Sequence, residues 1–155
     1  MPGEVTFRLA TAADVPAVLA LLADDAITHQ RGFGDVPATV DPAVRAAFAA
    51  IEADPNNELI VAVADDAVIG TCQLTFIPGL SRGGALRMLV EAVRISSDRR
   101  GQGLGAELMR WTIERARGRG CRMVQLTTDK RRTDAHRFYE RLGFTASHEG
   151  MKLAL

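Results

Sequence analysis

The chain is poor in the residues that mark several protein classes. Among 155 residues it has two cysteines, three histidines, one tryptophan and one tyrosine. The two cysteines, Cys72 and Cys121, stand far apart in separate apolar segments. They cannot build a disulfide framework and read as free, buried thiols in a reducing cytoplasm. No metal site is expected. No apolar run approaches the length of a membrane span, and the first residues lack a basic stretch followed by an apolar one. Neither a membrane nor an export signal is therefore expected. Charge of one sign is not in excess, because nineteen basic residues balance nineteen acidic ones. That balance argues against bulk binding to nucleic acid or to a membrane surface. Any anionic ligand must be held by a local cluster of charge.

What remains is ordinary globular composition, 47% apolar and 25% charged, at the length of one domain spanning 1–155. Val5 to Leu9 reads as a strand. Thr11, with Asp14 three residues on, reads as the capped start of a helix from Val15 to Ile27, with Val15, Val18, Leu19, Leu22 and Ala26 on one face. A loop from Thr28 to Thr39 follows. Asp41-Pro42 opens a second helix that runs to about Glu52 and stops before Asp54-Pro55-Asn56-Asn57. Glu58 to Ala64 and Val68 to Phe76 form a hairpin. After a loop from Pro78 to Gly84, Met88 to Ile95 is a fourth strand. Leu104 to Arg117 is a helix, Met123 to Thr128 a strand, and Asp134 to Leu142 a helix ended by Gly143. The last residues supply one or two terminal strands. The fold class is α+β (mixed α/β): a twisted mixed sheet of six to seven strands flanked by about four helices.

The chemistry begins at Arg99-Arg100-Gly101-Gln102-Gly103-Leu104-Gly105, between a strand and a helix. Unpaired N–H groups and the dipole of a helix N-terminus favour an anion there, and glycine lets backbone approach it closely. Arg99 and Arg100 add full charge. A P-loop would need Lys and Ser or Thr after its last glycine, and both are missing. Gly101, Gly103 and Ala106 match the bare spelling of a dinucleotide fingerprint, but too few residues follow to build the rest of a doubly wound sheet. A packing turn without a ligand is the third reading. Three alternating glycines behind two arginines favour a phosphate or pyrophosphate.

The pattern resembles the GNAT superfamily of acyl-CoA N-acyltransferases. Its pyrophosphate motif, Gln/Arg-x-x-Gly-x-Gly/Ala, is matched by Arg100, Gly103 and Gly105. Its later Asn-Ala-x-x-Phe-Tyr-x-x-x-Gly-Phe pattern is matched by Asp134-Ala135-His136-Arg137-Phe138-Tyr139-Glu140-Arg141-Leu142-Gly143-Phe144. The element order agrees from Val5 onward. Position 134 is Asp where the family commonly has Asn. A carboxylate can cap the helix but, while ionised, cannot donate a hydrogen bond.

The resemblance implies direct attack of a primary amine on the thioester of acetyl-CoA, with a homodimer allowed. Tyr139 aligns with the family tyrosine near the coenzyme sulfur. A phenol near pKa 10 can return a proton to a thiolate whose acid is near 8.5; packing is the alternative on this apolar helix face. Glu91 is the candidate base. Alternation places it on one face with Leu89, Val93 and Ile95, where a carboxylate is costly unless paired or functional. A salt bridge to Arg87 or Arg94 is its other reading, and the family's strand carries a bulge that would shift the alternation. The resemblance sets backbone groups of Val93 and Ile95 against the acyl carbonyl and pantetheine arm. Arg94, Arg100, Gly101, Gln102, Gly103, Leu104, Gly105, Ala106, Asp134 and Arg137 complete the expected coenzyme site. Lys130-Arg131-Arg132 could meet its phosphates or form a solvated loop. His29 lies in the loop that borders the acceptor site in the family, where a lone histidine is more often incidental. Trp111 reads as core or interface. A non-catalytic acyl-CoA-binding or regulatory module of the same fold is the rival function.

Overall fold

The computed structural model describes residues 3–24 and 39–155. The expected loop starting at Thr28, with His29, lies outside those residues, as do residues 25–27 of the expected first helix; that helix stops at Ala23 rather than Ile27, where Asp24 leaves the helical dihedrals. The first strand, β1 (Thr6–Leu9), leads through a 3-10 turn (Ala12–Asp14) into α1 (Val15–Ala23). Thr11 N–H donates to Asp14 Oδ2 at 2.7 Å in the expected capping box. The same carboxylate accepts from Arg8 at 2.7 and 3.1 Å. These donors, Arg8 foremost, pull the Asp14 pKa down to about 2. The helix α2 (Pro42–Ala53) starts where Pro42 pre-sets the first helical dihedral and Asp41 accepts from Val44 N–H at 2.9 Å.

The hairpin β2 (Asn57–Ala64) and β3 (Ala67–Ile77) turns through two residues only. Asp65 and Asp66 take φ 51° and 60°, the left-handed pair that a tight hairpin requires and that Asp tolerates. A single turn, α3 (Ser81–Gly84), precedes β4 (Arg87–Ile95). Then come a second 3-10 turn (Ser97–Arg99), α4 (Leu104–Gly118), β5 (Met123–Leu126) and α5 (Thr133–Arg141).

The sheet order is β1-β2-β3-β4-β5, antiparallel except for the parallel pair β4/β5. One face packs under α4 and α5: Ile60, Cys72, Leu74, Phe76, Met88 and Val90 meet Leu108, Met109 and Ala116. This is a mixed α+β architecture, as expected, with two corrections. Among the described residues the sheet has five strands rather than six or seven, because residues 142–155 enter no ladder. Met151, Leu153 and Leu155 stay exposed there, so no burial offsets the entropy of ordering a further strand. Among the described residues the helices number five rather than about four, since part of the expected Pro78 to Gly84 loop closes into α3.

Glu58 opposes Leu74 in the ladder and so points its carboxylate into the apolar layer. Arg115 of α4 answers it, donating Nε to Oε1 at 2.8 Å and Oε2 at 2.9 Å and Nη2 to Oε2. Arg115 also lies over the Trp111 ring, 5.4 Å from its centroid, and Trp111 meets Phe7 at 5.8 Å. Trp111 is therefore a structural residue that helps seat α4 on the sheet.

Candidate active site

The site is made by a strand that leaves its neighbour. Arg87 to Val90 of β4 pair with Met123 to Leu126 of β5, and there β5 ends. The strand β4 runs on to Ile95, so the sheet splits between the two strands beyond Val90. The split coincides with a bulge. Ala92 has φ 54°, and the β3/β4 register slips between Thr71 and Gln73. A non-glycine residue there is uncommon and costs about 1 kcal/mol or more.

The bulge corrects one expectation. Before it, Met88 and Val90 face the core while Leu89 and Glu91 face away. The extra residue reverses the parity, and Val93 and Ile95 pack against the core cluster. Glu91 therefore shares a face with Leu89 but not with Val93 or Ile95. It is exposed, and it forms no ion pair or hydrogen bond among the described residues, so the expected alternatives at Arg87 and Arg94 are not realised. Arg94 Nη1 donates instead to the Val93 carbonyl at 2.9 Å.

At the far end of β4 the glycine turn takes its shape from two left-handed residues, Gly101 at φ 80° and Gly103 at φ 81°. Gly103 caps α4, and its carbonyl accepts from Glu107 N–H at 3.1 Å. Among the described residues, no bond is made by the amides of Gly101, Gln102, Gly103, Leu104, Gly105 or Ala106. Six consecutive donors at a helix N-terminus form an anion cradle. An added Cβ at Gly101 or Gly103 would meet nothing within 4 Å, so the space beyond the cradle is open. Arg99 lies 3.5 Å from Asp65, and Arg100 lies 3.9 Å from Asp24 while donating Nε to the Ile95 carbonyl at 3.2 Å. Both guanidiniums thus meet a carboxylate from another element.

The helix α5 closes the split from the core side. Phe138 packs on α4 where Gly105 leaves room, its Cζ 3.4 Å from a Cβ built there. Tyr139 stacks edge-on with Phe138 at 5.1 Å and with Phe144 at 5.8 Å. Its hydroxyl has no hydrogen-bond partner among the described residues. Burial pushes its pKa above 10, helped by Cys72 and opposed by Arg94 and Arg132. Tyr139 thus sits below the bulge and Glu91 above it, on opposite sides of β4.

Asp134 does not cap α5, since Thr133 begins the helix and Arg132 takes the capping position. Asp134 binds Arg137 Nη2 at 2.6 Å on the exposed surface. In the Lys130-Arg131-Arg132 run, Arg131 is held by Asp129 at 2.9 and 3.0 Å.

A polar group that sequence reasoning missed lies on the outer face of the sheet. Gln73 Nε2 and Thr75 Oγ1 donate to Asn57 Oδ1 at 3.2 and 3.0 Å, and Asn57 Nδ2 donates to Asp54 Oδ2 at 2.7 Å. Asp54 and Asn57 also line a cleft of about 250 Å³ against Phe48 and Ile51 of α2. Gln73 and Thr75, two apart in a strand otherwise made of apolar and small residues, were the available signal.

A split strand, an amide cradle and a tyrosine beneath the split are what an acyl-CoA transferase needs, and comparison with known proteins agrees. The profile of the acetyltransferase (GNAT) family matches residues 23–144. The chain belongs to the GNAT acetyltransferase family. As a member it is an N-acetyltransferase, and acetyl-CoA is the family's acyl donor. It is 36% identical to the aminoalkylphosphonate N-acetyltransferase of Salmonella typhimurium over 68% of each chain. It is 34% identical to the glucosamine 6-phosphate N-acetyltransferase of Trypanosoma brucei brucei, over 57% of this chain and 58% of that one. A solved structure described as a transcriptional regulator from Bacillus halodurans C-125 has a TM-score of 0.92 at 46% identity, covering 98% of this GNAT chain and all of the other.

Proposed function

We propose that this protein transfers the acetyl group of acetyl-CoA to a primary amine by direct attack, with Glu91 as base and Tyr139 as acid. The observation that carries the reading is the split at Val90. It opens β4 between the amide cradle at one end and a carboxylate and a phenol on either side. In this reading the amides of Gly101 to Ala106 hold the pyrophosphate, with Arg100 beside them. Backbone of Val93, Arg94 and Ile95 lines the pantetheine arm, and Asp134 and Arg137 meet the coenzyme from α5. Glu91 takes a proton from the amine, directly or through water. The amine forms its bond to the acyl carbon, the C–S bond breaks, and Tyr139 gives its proton to the departing thiolate. Its raised pKa keeps that proton in place at neutral pH.

The acceptor class follows the two curated relatives, whose named substrates join an amine to a phosphonate or a phosphate. Short amines bearing such an anion are the first acceptors to try. One domain over 1–155, a reducing cytoplasm supported by two free cysteines, and pairing into a homodimer through the exposed Met151, Leu153 and Leu155 belong to the same reading. The test is thiol release from acetyl-CoA over a panel containing 2-aminoethylphosphonate, glucosamine 6-phosphate, and amines lacking the anion. Saturable release for at least one amine is expected. Coenzyme binding without release for any amine would overturn the reading and leave an acyl-CoA-binding module.

A further inference from the structure

The polar group on the outer face of the sheet has a direction. A carboxylate accepts hydrogen bonds and donates none, whereas a side-chain amide has one end of each kind. Asp54 accepts from Asn56 N–H at 2.8 Å and from Asn57 Nδ2 at 2.7 Å. Asn57 must therefore turn its nitrogen toward Asp54 and its oxygen away. That oxygen collects the Gln73 amide and the Thr75 hydroxyl, which obliges Gln73 in turn to present nitrogen to Asn57. Its Oε1 is left on the side away from β2, toward β4.

Directly across that boundary stands Glu91, the ladder partner of Gln73. Residues so paired have Cβ atoms about 5 Å apart, with side chains on the same face. Neither Gln73 Oε1 nor the Glu91 carboxylate has a partner among the described residues. Two acceptors side by side on a sheet face, the first oriented through Asp54 and Asn57, match a group made only of donors.

We propose that Gln73 Oε1 and the Glu91 carboxylate together clamp the ammonium of the acceptor, making Gln73 a binding residue that selects primary amines. This rests on the reading of Glu91 given above. A primary ammonium has three N–H donors. One faces Gln73 Oε1 and one faces Glu91, which takes that proton: the N–H bond breaks, an O–H bond forms on the carboxylate, and the nitrogen keeps the electron pair. The N–H held by Gln73 then fixes the nitrogen while its lone pair turns to the acyl carbon, and as the C–S bond breaks the acylated nitrogen releases its second proton to water. Asp54 and Asn57 are positioning residues that act through Gln73.

The test measures KM for 2-aminoethylphosphonate or glucosamine 6-phosphate, whichever turns over, beside KM for acetyl-CoA. Gln73→Met, which keeps length and loses the carbonyl, should raise the amine KM at least tenfold and leave the acetyl-CoA KM within twofold. Asp54→Asn, which frees the relay to reverse, should raise the amine KM several-fold without contact to the amine. Thr75→Val removes a bond to Asn57 but leaves Gln73 oriented, and should stay within threefold of wild type. An unchanged amine KM in Gln73→Met overturns the clamp, as does an equal rise in both KM values. If no amine turns over, the reaction proposed above has failed, and calorimetric titration of the same amines into the coenzyme A complex decides the clamp separately. Binding that Gln73→Met abolishes supports it; absent binding, or binding equal in both proteins, overturns it.

Discussion

Replacing Arg115 with leucine strands a carboxylate. The Glu58 side chain is 8% exposed and its partner Arg115 36% exposed, so the pair is buried at its acidic end and wet at its basic end. Removing one member of a fully buried pair costs about 3–5 kcal/mol, mostly from the charge left behind. Two features here reduce that figure. Arg115 already reaches solvent, and Arg119 Nη1 lies 3.9 Å from Glu58 Oε1 and can take over part of the work. Arg115→Leu should therefore cost about 2–3 kcal/mol, the cation–π contact with Trp111 included. At this chain length that lowers Tm by roughly 4–12 °C. Urea titration and thermal melts at neutral pH provide the measure. The double variant Glu58→Leu, Arg115→Leu should recover most of the loss, because leucines in place of a buried ion pair leave no charge to solvate. A single variant within 0.5 kcal/mol of wild type, or a double variant as unstable as the single, would refute the reasoning.

Tyr139→Phe should lower kcat about 100-fold, the lower end of what a positioned acid contributes, with coenzyme A affinity unchanged by calorimetry; unchanged kcat would remove Tyr139 from the acid role. Gly103→Val forces a branched residue to φ 81° and should cost about 1–2 kcal/mol in thermal melts while sharply weakening coenzyme A binding. Gly103→Asn, which tolerates that dihedral, should recover the stability but not the affinity, and wild-type affinity in Gly103→Asn would undo the cradle. Asp14 carries a pKa lowered from 3.8 to about 2. A depressed folded-state pKa gives stability that is present above the unfolded value and lost as pH falls through the folded one. Acid titration between pH 4 and pH 2 should remove about 2 kcal/mol, and Asp14→Asn should flatten that limb.

Much of the fold was legible because its signals are local. Thr11 with Asp14, Asp41 with Pro42 and the alternating glycines each act within a few residues of themselves. The helices and strands they bound lie within a residue or two of their expected positions, except that the first helix stops at Ala23, short of Ile27. The terminal strands misled for the opposite reason, since a ladder depends on a partner edge and on burial, and 142–155 enter no ladder and leave Met151, Leu153 and Leu155 exposed. At the candidate site, Tyr139 was singled out by motif and Glu91 by strand alternation, and the face of Glu91 was misassigned because a bulge at Ala92 leaves no mark in an alanine. The Asp54–Asn57–Gln73 relay was missed because Asn57 and Gln73 are 16 residues apart in sequence and meet only when β2 pairs with β3. Hydrogen-bond direction is a property of the assembled network, and no single residue in it spells the role.

The placement of Glu91 and Tyr139 on opposite sides of β4 has a consequence for the enzyme between turnovers. In the proposed reaction one gains a proton and the other loses one, and the strand that separates them bars a direct return. Each catalytic cycle ends with a polarised enzyme, neutral above the sheet and anionic below it. It must be reset through bulk water, by a route that Tyr139, buried among Phe138 and Phe144, reaches less readily than Glu91. Rapid chemistry would then leave the reset as the slow step, visible as a turnover rate that rises with buffer concentration while the first turnover does not.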